Sequence, residues 1–173
     1  MSRLGIAFWL NTLAAQGAVA QEVRQAFLKD REGQLTNIAD ITVAQDDTYS
    51  VAMNNDAFSE HFLSMRPFKC LDGSEKTWCH VPYPYEIARD ISDDLTDLEY
   101  DFLFLWKGRT DYGINMWNGI YYRIERTETG FHGTLHEMDM DLLSAPPEGG
   151  YCVRCARRTS LKAIPPAIVC RRL

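Results

Sequence analysis

Residues 118–142 read NGIYYRIERTETGFHGTLHEMDMDL. In the first half, Ile120, Tyr122 and Ile124 share one face of an extended chain, and Tyr121, Arg123 and Glu125 take the other. Glu128-Thr129-Gly130 supplies a turn. In the second half, His132, Thr134, His136, Met138, Met140 and Leu142 share a face, with Glu137, Asp139 and Asp141 opposite. Alternation with period two over about ten residues on either side of a turn predicts a β-hairpin. Pro146-Pro147-Glu148-Gly149-Gly150 then breaks the pattern.

The segments before this hairpin extend the same reading. Tyr100–Lys107 (YDFLFLWK) places Phe102, Phe104 and Trp106 on one face and Leu103 and Leu105 on the other. Apolar residues on both faces predict a central strand covered from two sides. Residues 92–98 (SDDLTDL) predict a helical turn, with Ser92 as cap and acids at the positive end of the dipole. Residues 61–71 and 77–83 pair across a turn at 72–76. Residues 38–43 and 48–53 flank Gln45-Asp46-Asp47 as a further hairpin. Residues 21–32 (QEVRQAFLKDRE) predict a short helix with Val23, Ala26 and Phe27 on one side, ended by Gly33. The fold class expected is therefore mainly β: a small antiparallel barrel or sandwich with one or two short helices.

A chain of 173 residues fits one domain and buries a core without help from cysteines. Residues 1–20 (MSRLGIAFWLNTLAAQGAVA) have the three parts of a secretory signal. Arg3 is the positive start, an apolar stretch follows, and Ala18-Val19-Ala20 offers small residues at the cut. The expected organisation is a signal peptide over 1–20, a single β-rich domain over 21–148 and a basic, poorly structured C-terminal extension over 149–173. That extension holds Arg154, Arg157, Arg158, Lys162, Arg171 and Arg172 and no acid. It is the one part of the chain from which membrane contact is expected. The formal net charge of −6 argues against nucleic acid as a partner, because phosphate neutralisation needs a positive face.

The chain has five cysteines. In an exported protein, Cys70 and Cys79 are expected to join as a disulfide across the 72–76 turn. Cys152, Cys155 and Cys170 leave an odd count. Cys152-Val-Arg-Cys155 lacks the strand–helix context of a redox motif. A zinc site on Cys70, Cys79, Cys152 and Cys155 has the wrong spacing at its first pair, so no metal and no cofactor are expected. His132 and His136 fit the spacing of a helical zinc motif, but on a strand they stand about 13 Å apart. Carboxylates are plentiful, and nothing singles out a catalytic pair. No G-x-S-x-G elbow and no glycine-rich phosphate loop is present.

What stands out is the aromatic population. Tyr83, Tyr85, Trp106, Tyr112 and Trp117 are the candidate ligand-binding residues, set to line a mouth for an apolar or sugar-like ligand or to meet a protein. MRPFKC (65–70), CHVPYPY (79–85), DLTDLEYDFLFLWKG (94–108), TDYGINMWNGIYYRIE (110–125) and GTLHEMDMDLL (133–143) resemble a group of exported proteins of proteobacteria that has no established activity. The resemblance spans roughly residues 40–147 and implies export and a single β-rich domain. It assigns no catalytic residue.

Two functions are therefore expected in order. The first is a periplasmic or secreted, non-catalytic binding or structural module for a small molecule or protein. The second is a periplasmic hydrolase using carboxylates with His80 or His136. The two differ in one observable: a hydrolase needs one of those histidines within hydrogen-bond reach of a carboxylate.

Overall fold

The computed structural model describes residues 21–64, 66–145 and 167–172. The chain builds strands β1 (Glu22–Lys29), β2 (Leu35–Val43), β3 (Tyr49–Met53), β4 (Ser59–Phe62), β5 (Pro67–Asp72) and β6 (Lys76–His80), then helix α1 (Thr96–Asp101). Strands β7 (Phe104–Gly108), β8 (Gly119–Thr127), β9 (Gly130–Met138) and β10 (Ala167–Arg172) follow. Single 3-10 turns lie at Asn55–Ala57, Met116–Asn118 and Met140–Leu143.

All ten strands belong to one antiparallel sheet of order β3-β2-β1-β10-β9-β8-β7-β6-β5-β4. Its two end strands, β3 and β4, are consecutive in the chain, yet they are not paired. The sheet is thus not a closed barrel. After β3, Asn54 donates its main-chain N–H to Ile38 O at 2.8 Å and its side-chain amide to Asn37 O at 3.2 Å. The chain thus stays bonded to β2 through Asn54 before β4 begins. The two halves of the sheet fold over each other in the manner of a sandwich. Ala39, Ile41, Val43 and Tyr49 from β2 and β3 share one core with Phe104, Ile120, Tyr122 and Ile124 from β7 and β8. Each isoleucine or phenylalanine among them, fully buried, contributes roughly 1.5–3 kcal/mol.

One end of the sandwich is closed by the excursion between β6 and β7. Ile91, Leu95, Leu98 and Phe102 from that segment enter the same core. The excursion also bonds to the sheet edge at β3, through Tyr49 N to Arg89 O at 2.9 Å and Ile91 N to Asp47 O at 3.0 Å. Helix α1 begins at Thr96 rather than at the expected cap Ser92. Its N-cap is Leu95, which makes no side-chain cap bond; Asp90 Oδ1 accepts from Ser92 N and Asp94 Oδ1 from Thr96 N, both at 2.7 Å, and these bonds fix the turns that lead into the helix.

The strand expected over Tyr100–Lys107 begins only at Phe104, since Tyr100 and Asp101 close helix α1, and from there β7 is covered on both faces. Phe104 lies in the main core, and Leu105 lies in a second cluster with Tyr100, Leu103, Tyr121, Met138 and Met140 on the outer face of the sheet. The β8–β9 hairpin forms with Ile120, Tyr122 and Ile124 inward. The outer face of β9 runs from exposed His132 to buried Met138, where the second cluster covers it.

Two expectations are corrected. Residues 22–29 form strand β1, not a helix. The sequence suits either period, but Ala26 and Leu28 are buried while Val23 is 37% exposed, which is the strand set. Pairing with β2 on one side and β10 on the other decides the matter. Residues 167–172, expected in a poorly structured extension, form β10 in the middle of the sheet. Without β10, β1 and β9 would both present open hydrogen-bonding edges. The signal peptide expected over 1–20 and the rest of the expected extension, with Cys152 and Cys155, lie outside the described residues.

Candidate functional site

The structure brings some of the candidate aromatics together and separates others. A ledge on the outer face of the sheet is built around the 3-10 turn Met140–Leu143. Tyr85 donates its hydroxyl to Leu143 O at 3.1 Å, and Tyr83 meets Tyr85 edge-on with ring centroids 5.5 Å apart. Tyr83 also packs on Tyr100 at 4.1 Å. From the other side Trp117 donates its indole N–H to Asp141 Oδ2 at 3.0 Å. The turns themselves are fixed by short polar side chains. Asn115 Oδ1 accepts from Trp117 N at 3.0 Å and Asp139 Oδ1 from Asp141 N at 2.9 Å.

These contacts hold large side chains in solvent. Trp117 is 68% exposed, Leu142 61% and Tyr112, on the loop before the turn, fully so. The same loop lies against the β4–β5 turn, since a Cβ at Gly113 would come 3.9 Å from Leu63 O. Phe62, next to Leu63, is 75% exposed. Trp106 is elsewhere. It pairs with Trp78 on the inner face of β6 and β7 and packs on the main core. The Lys76 ammonium stands 3.6 Å from the Trp106 ring centroid, a cation–π contact.

The histidines do not assemble as a hydrolase requires. His80 Nε2 is 2.9 Å from the main-chain oxygen of Asp101, not from its carboxylate. Burial holds His80 below the ordinary histidine range, against the opposing pull of that carbonyl and of the Asp101 charge. His136 stacks on Tyr121 at 5.3 Å and lies 3.3 Å from Thr134 Oγ1. Partial burial and the Arg123 charge lower its pKa. His61 does reach a carboxylate, Asp72 Oδ2, at 3.1 Å. Thr77 Oγ1 donates to Asp72 Oδ1 at 3.2 Å. One acid thus ties β4 and β6 to β5 and leaves no histidine–hydroxyl contact in that group.

The disulfide forms between Cys70 and Cys79, which face each other in the β5–β6 register. Both are fully buried, against Phe68, Leu63 and Ile114. Cys170 is free and buried in the main core, and burial pushes its thiol up to about 12.

Sequence reasoning missed one polar group. Arg89 grips Asp101 with Nε at 3.2 Å and Nη2 at 3.0 Å, and Tyr49 donates to the same carboxylate at 2.9 Å. Arg89 holds a left-handed φ of 54°, while its N–H donates to Asp97 Oδ2 at 2.8 Å. Burial and the Asp101 charge raise the Tyr49 pKa, which keeps the phenol a donor. Tyr49 and Asp101 lie 52 residues apart, so no local pattern announces the contact. Asp90, Asp93, Asp94 and Asp97 line a shallow cleft beside this network. Asp90, Asp94 and Asp97 already accept the main-chain N–H bonds described above. Among the described residues no group of three or more His, Cys, Asp or Glu side chains is placed to share a metal ion. None of the described helices is long and apolar enough to cross a membrane.

No protein-family model, curated protein or solved structure matches this chain.

Proposed function

We propose that the chain is an exported, non-catalytic binding module that docks a protein partner on the ledge around Met140–Leu143. One observation carries the reading. Trp117 is pinned through its indole N–H to Asp141, yet two thirds of it stays in solvent, as do Leu142, next to Asp141 in the chain, and Tyr112, on the loop that leads to Trp117. A rigid, exposed tryptophan with neighbouring tyrosine and leucine costs apolar exposure and supplies the anchors on which protein interfaces concentrate their energy. Small-molecule sites bury most of their ligand in a concavity. Side chains this exposed suit a broad surface instead. Export is supported by the Cys70–Cys79 disulfide, which persists in oxidising compartments.

Site-specific photo-crosslinking of the full-length chain in its own host tests the proposal. The crosslinker is placed at Tyr112 or Leu142, and at exposed Asp40 on β2 as control. A protein adduct of defined mass at both ledge positions, absent at Asp40 and lost with Trp117→Ala, is the expected result. Adducts at all three positions alike, or at none, would overturn the reading.

A further inference from the structure

The ledge carries charge of one sign. Residues 81–88, 110–119 and 137–145 build it, and between them they hold Glu86, Asp111, Glu137, Asp139 and Asp141 and no lysine or arginine. Glu137 stands in register with core Ile120, so it faces the other way. The remaining acids alternate in the chain with the side chains that make the ledge. Asp139 and Asp141 flank the start of the turn that carries exposed Leu142, and Asp141 holds the Trp117 indole. Asp111 precedes exposed Tyr112, and Glu86 follows Tyr85, whose hydroxyl is bound to Leu143 O. Glu86, Asp111 and Asp141 are exposed and Asp139 is half-buried.

The bonds these acids make leave their charge in place. Asp111 accepts from Gly108 N at 2.8 Å, Asp139 from Asp141 N at 2.9 Å and Asp141 from the indole at 3.0 Å, all of them neutral donors. Among the described residues no ion pair involves Glu86, Asp111, Asp139 or Asp141, whereas Glu22, Glu60 and Asp101 each have a cation. The cations next to these segments are occupied elsewhere. Arg89 is held by Asp101, and buried Lys107 donates to Gly108 O. Arg109 is exposed and makes no ion pair among the described residues.

This pattern chooses between occupants. Fixed carboxylates repel an anionic membrane or a nucleic acid. A second copy of this chain, docked ledge to ledge about a two-fold axis, would set the same acids against one another. A basic protein segment suits both the apolar side chains and the charge. We infer that the ledge takes such a segment of the partner: an apolar anchor for Trp117, flanked by lysine or arginine that pairs with Asp141, Asp139 and Glu86. Ammonium and guanidinium groups bond the carboxylate oxygens that the neutral donors leave open. The inference rests on the docking reading above and adds the chemistry of the partner. Exposed charges of this kind act mainly on the association rate, and salt screens them.

The test uses a photo-crosslinker at Leu142 of the full-length chain in its own host, read in the parent and in two charge variants. Glu86→Gln/Asp111→Asn/Asp139→Asn/Asp141→Asn removes the charges and keeps an acceptor oxygen at each position. Glu32→Gln/Asp40→Asn/Asp93→Asn/Glu128→Gln removes as many exposed charges from other segments. The first variant should lower the yield of adduct about tenfold or more, and the second by less than about twofold. Mass spectrometry of the adduct should find lysine or arginine on both sides of the attachment point. That result reads the partner's charge in the parent protein, whatever the stability of the variants. A yield undiminished by the first variant, one diminished equally by the second, or attachment within an acidic segment would overturn the basic partner and leave docking at the ledge standing. No adduct in the parent would overturn both.

Discussion

Deleting residues 167–173 should unfold the protein, although the sequence there reads as a basic tail. β10 is matched to β1 at six positions, Arg24 to Lys29, and to β9 at four, Gly130 to Gly133. An antiparallel ladder makes about one main-chain hydrogen bond per matched position, so about ten are lost. At a net 0.5–1.5 kcal/mol each, the deletion removes roughly 5–15 kcal/mol, as much as the whole stability of a domain. It also uncovers the core beside Cys170 and severs the sheet between β1–β3 and β4–β9. A gentler perturbation probes the same joint. Gly130 has φ +154°, and a Cβ there would collide with the main-chain oxygen of Cys170. Gly130→Ala must push β10 away, which should cost about 2–4 kcal/mol from overpacking and backbone strain. Urea unfolding followed by far-UV circular dichroism measures both. A truncated protein with native-like cooperativity, or a Gly130→Ala variant within about 0.5 kcal/mol of the parent, would refute the central placement of β10.

Two further outcomes follow from the described contacts. Cys70→Ala/Cys79→Ala opens a loop of separation 9 and should cost roughly 2–3 kcal/mol in the chain-entropy model, before the loss of packing at two fully buried sulfurs. A midpoint shift worth less than about 1 kcal/mol in denaturant would contradict that account. The histidines set a pH dependence. The folded pKa of His80 lies below its unfolded value of 6.5, so the unfolded chain takes up protons first as pH falls. Stability should therefore decline from about pH 6.5 downward, by no more than about 1.4 kcal/mol per pH unit from this residue, and level off below its folded pKa. His136 adds a weaker effect of the same sign. His80→Gln keeps a donor for Asp101 O and should flatten the profile. An unchanged slope in that variant would show that His80 is not the titrating group.

Much of the fold was legible because strand alternation is local. The run from Gly119 to Met138 alternates so regularly that its inward and outward residues could be assigned without a partner in view, and Tyr122 and Ile124 are buried as the pattern requires. The doubled apolar faces of Phe104 and Leu105 gave the central strand for the same reason. Cys70 and Cys79 could be matched because the intervening turn is short. The ledge was half legible. Tyr83, Tyr85, Tyr112 and Trp117 were picked out as aromatics, but the gathering point at Asp141 and Leu143 comes from a turn whose neighbours are 24 and 58 residues away. Trp106 carried the same signal and lies on the other side of the sheet, because its parity within β7 sets it beside Trp78.

The sequence by itself determined the period of β8 and β9, the turn between them and the disulfide, since these depend on residues within a few positions of one another. Only the tertiary structure decided that residues 22–29 extend rather than coil and that β10 enters the centre of the sheet. Those choices rest on hydrogen bonds and burial supplied by strands far away in the chain. A short segment compatible with two periods takes the one for which a partner edge is waiting.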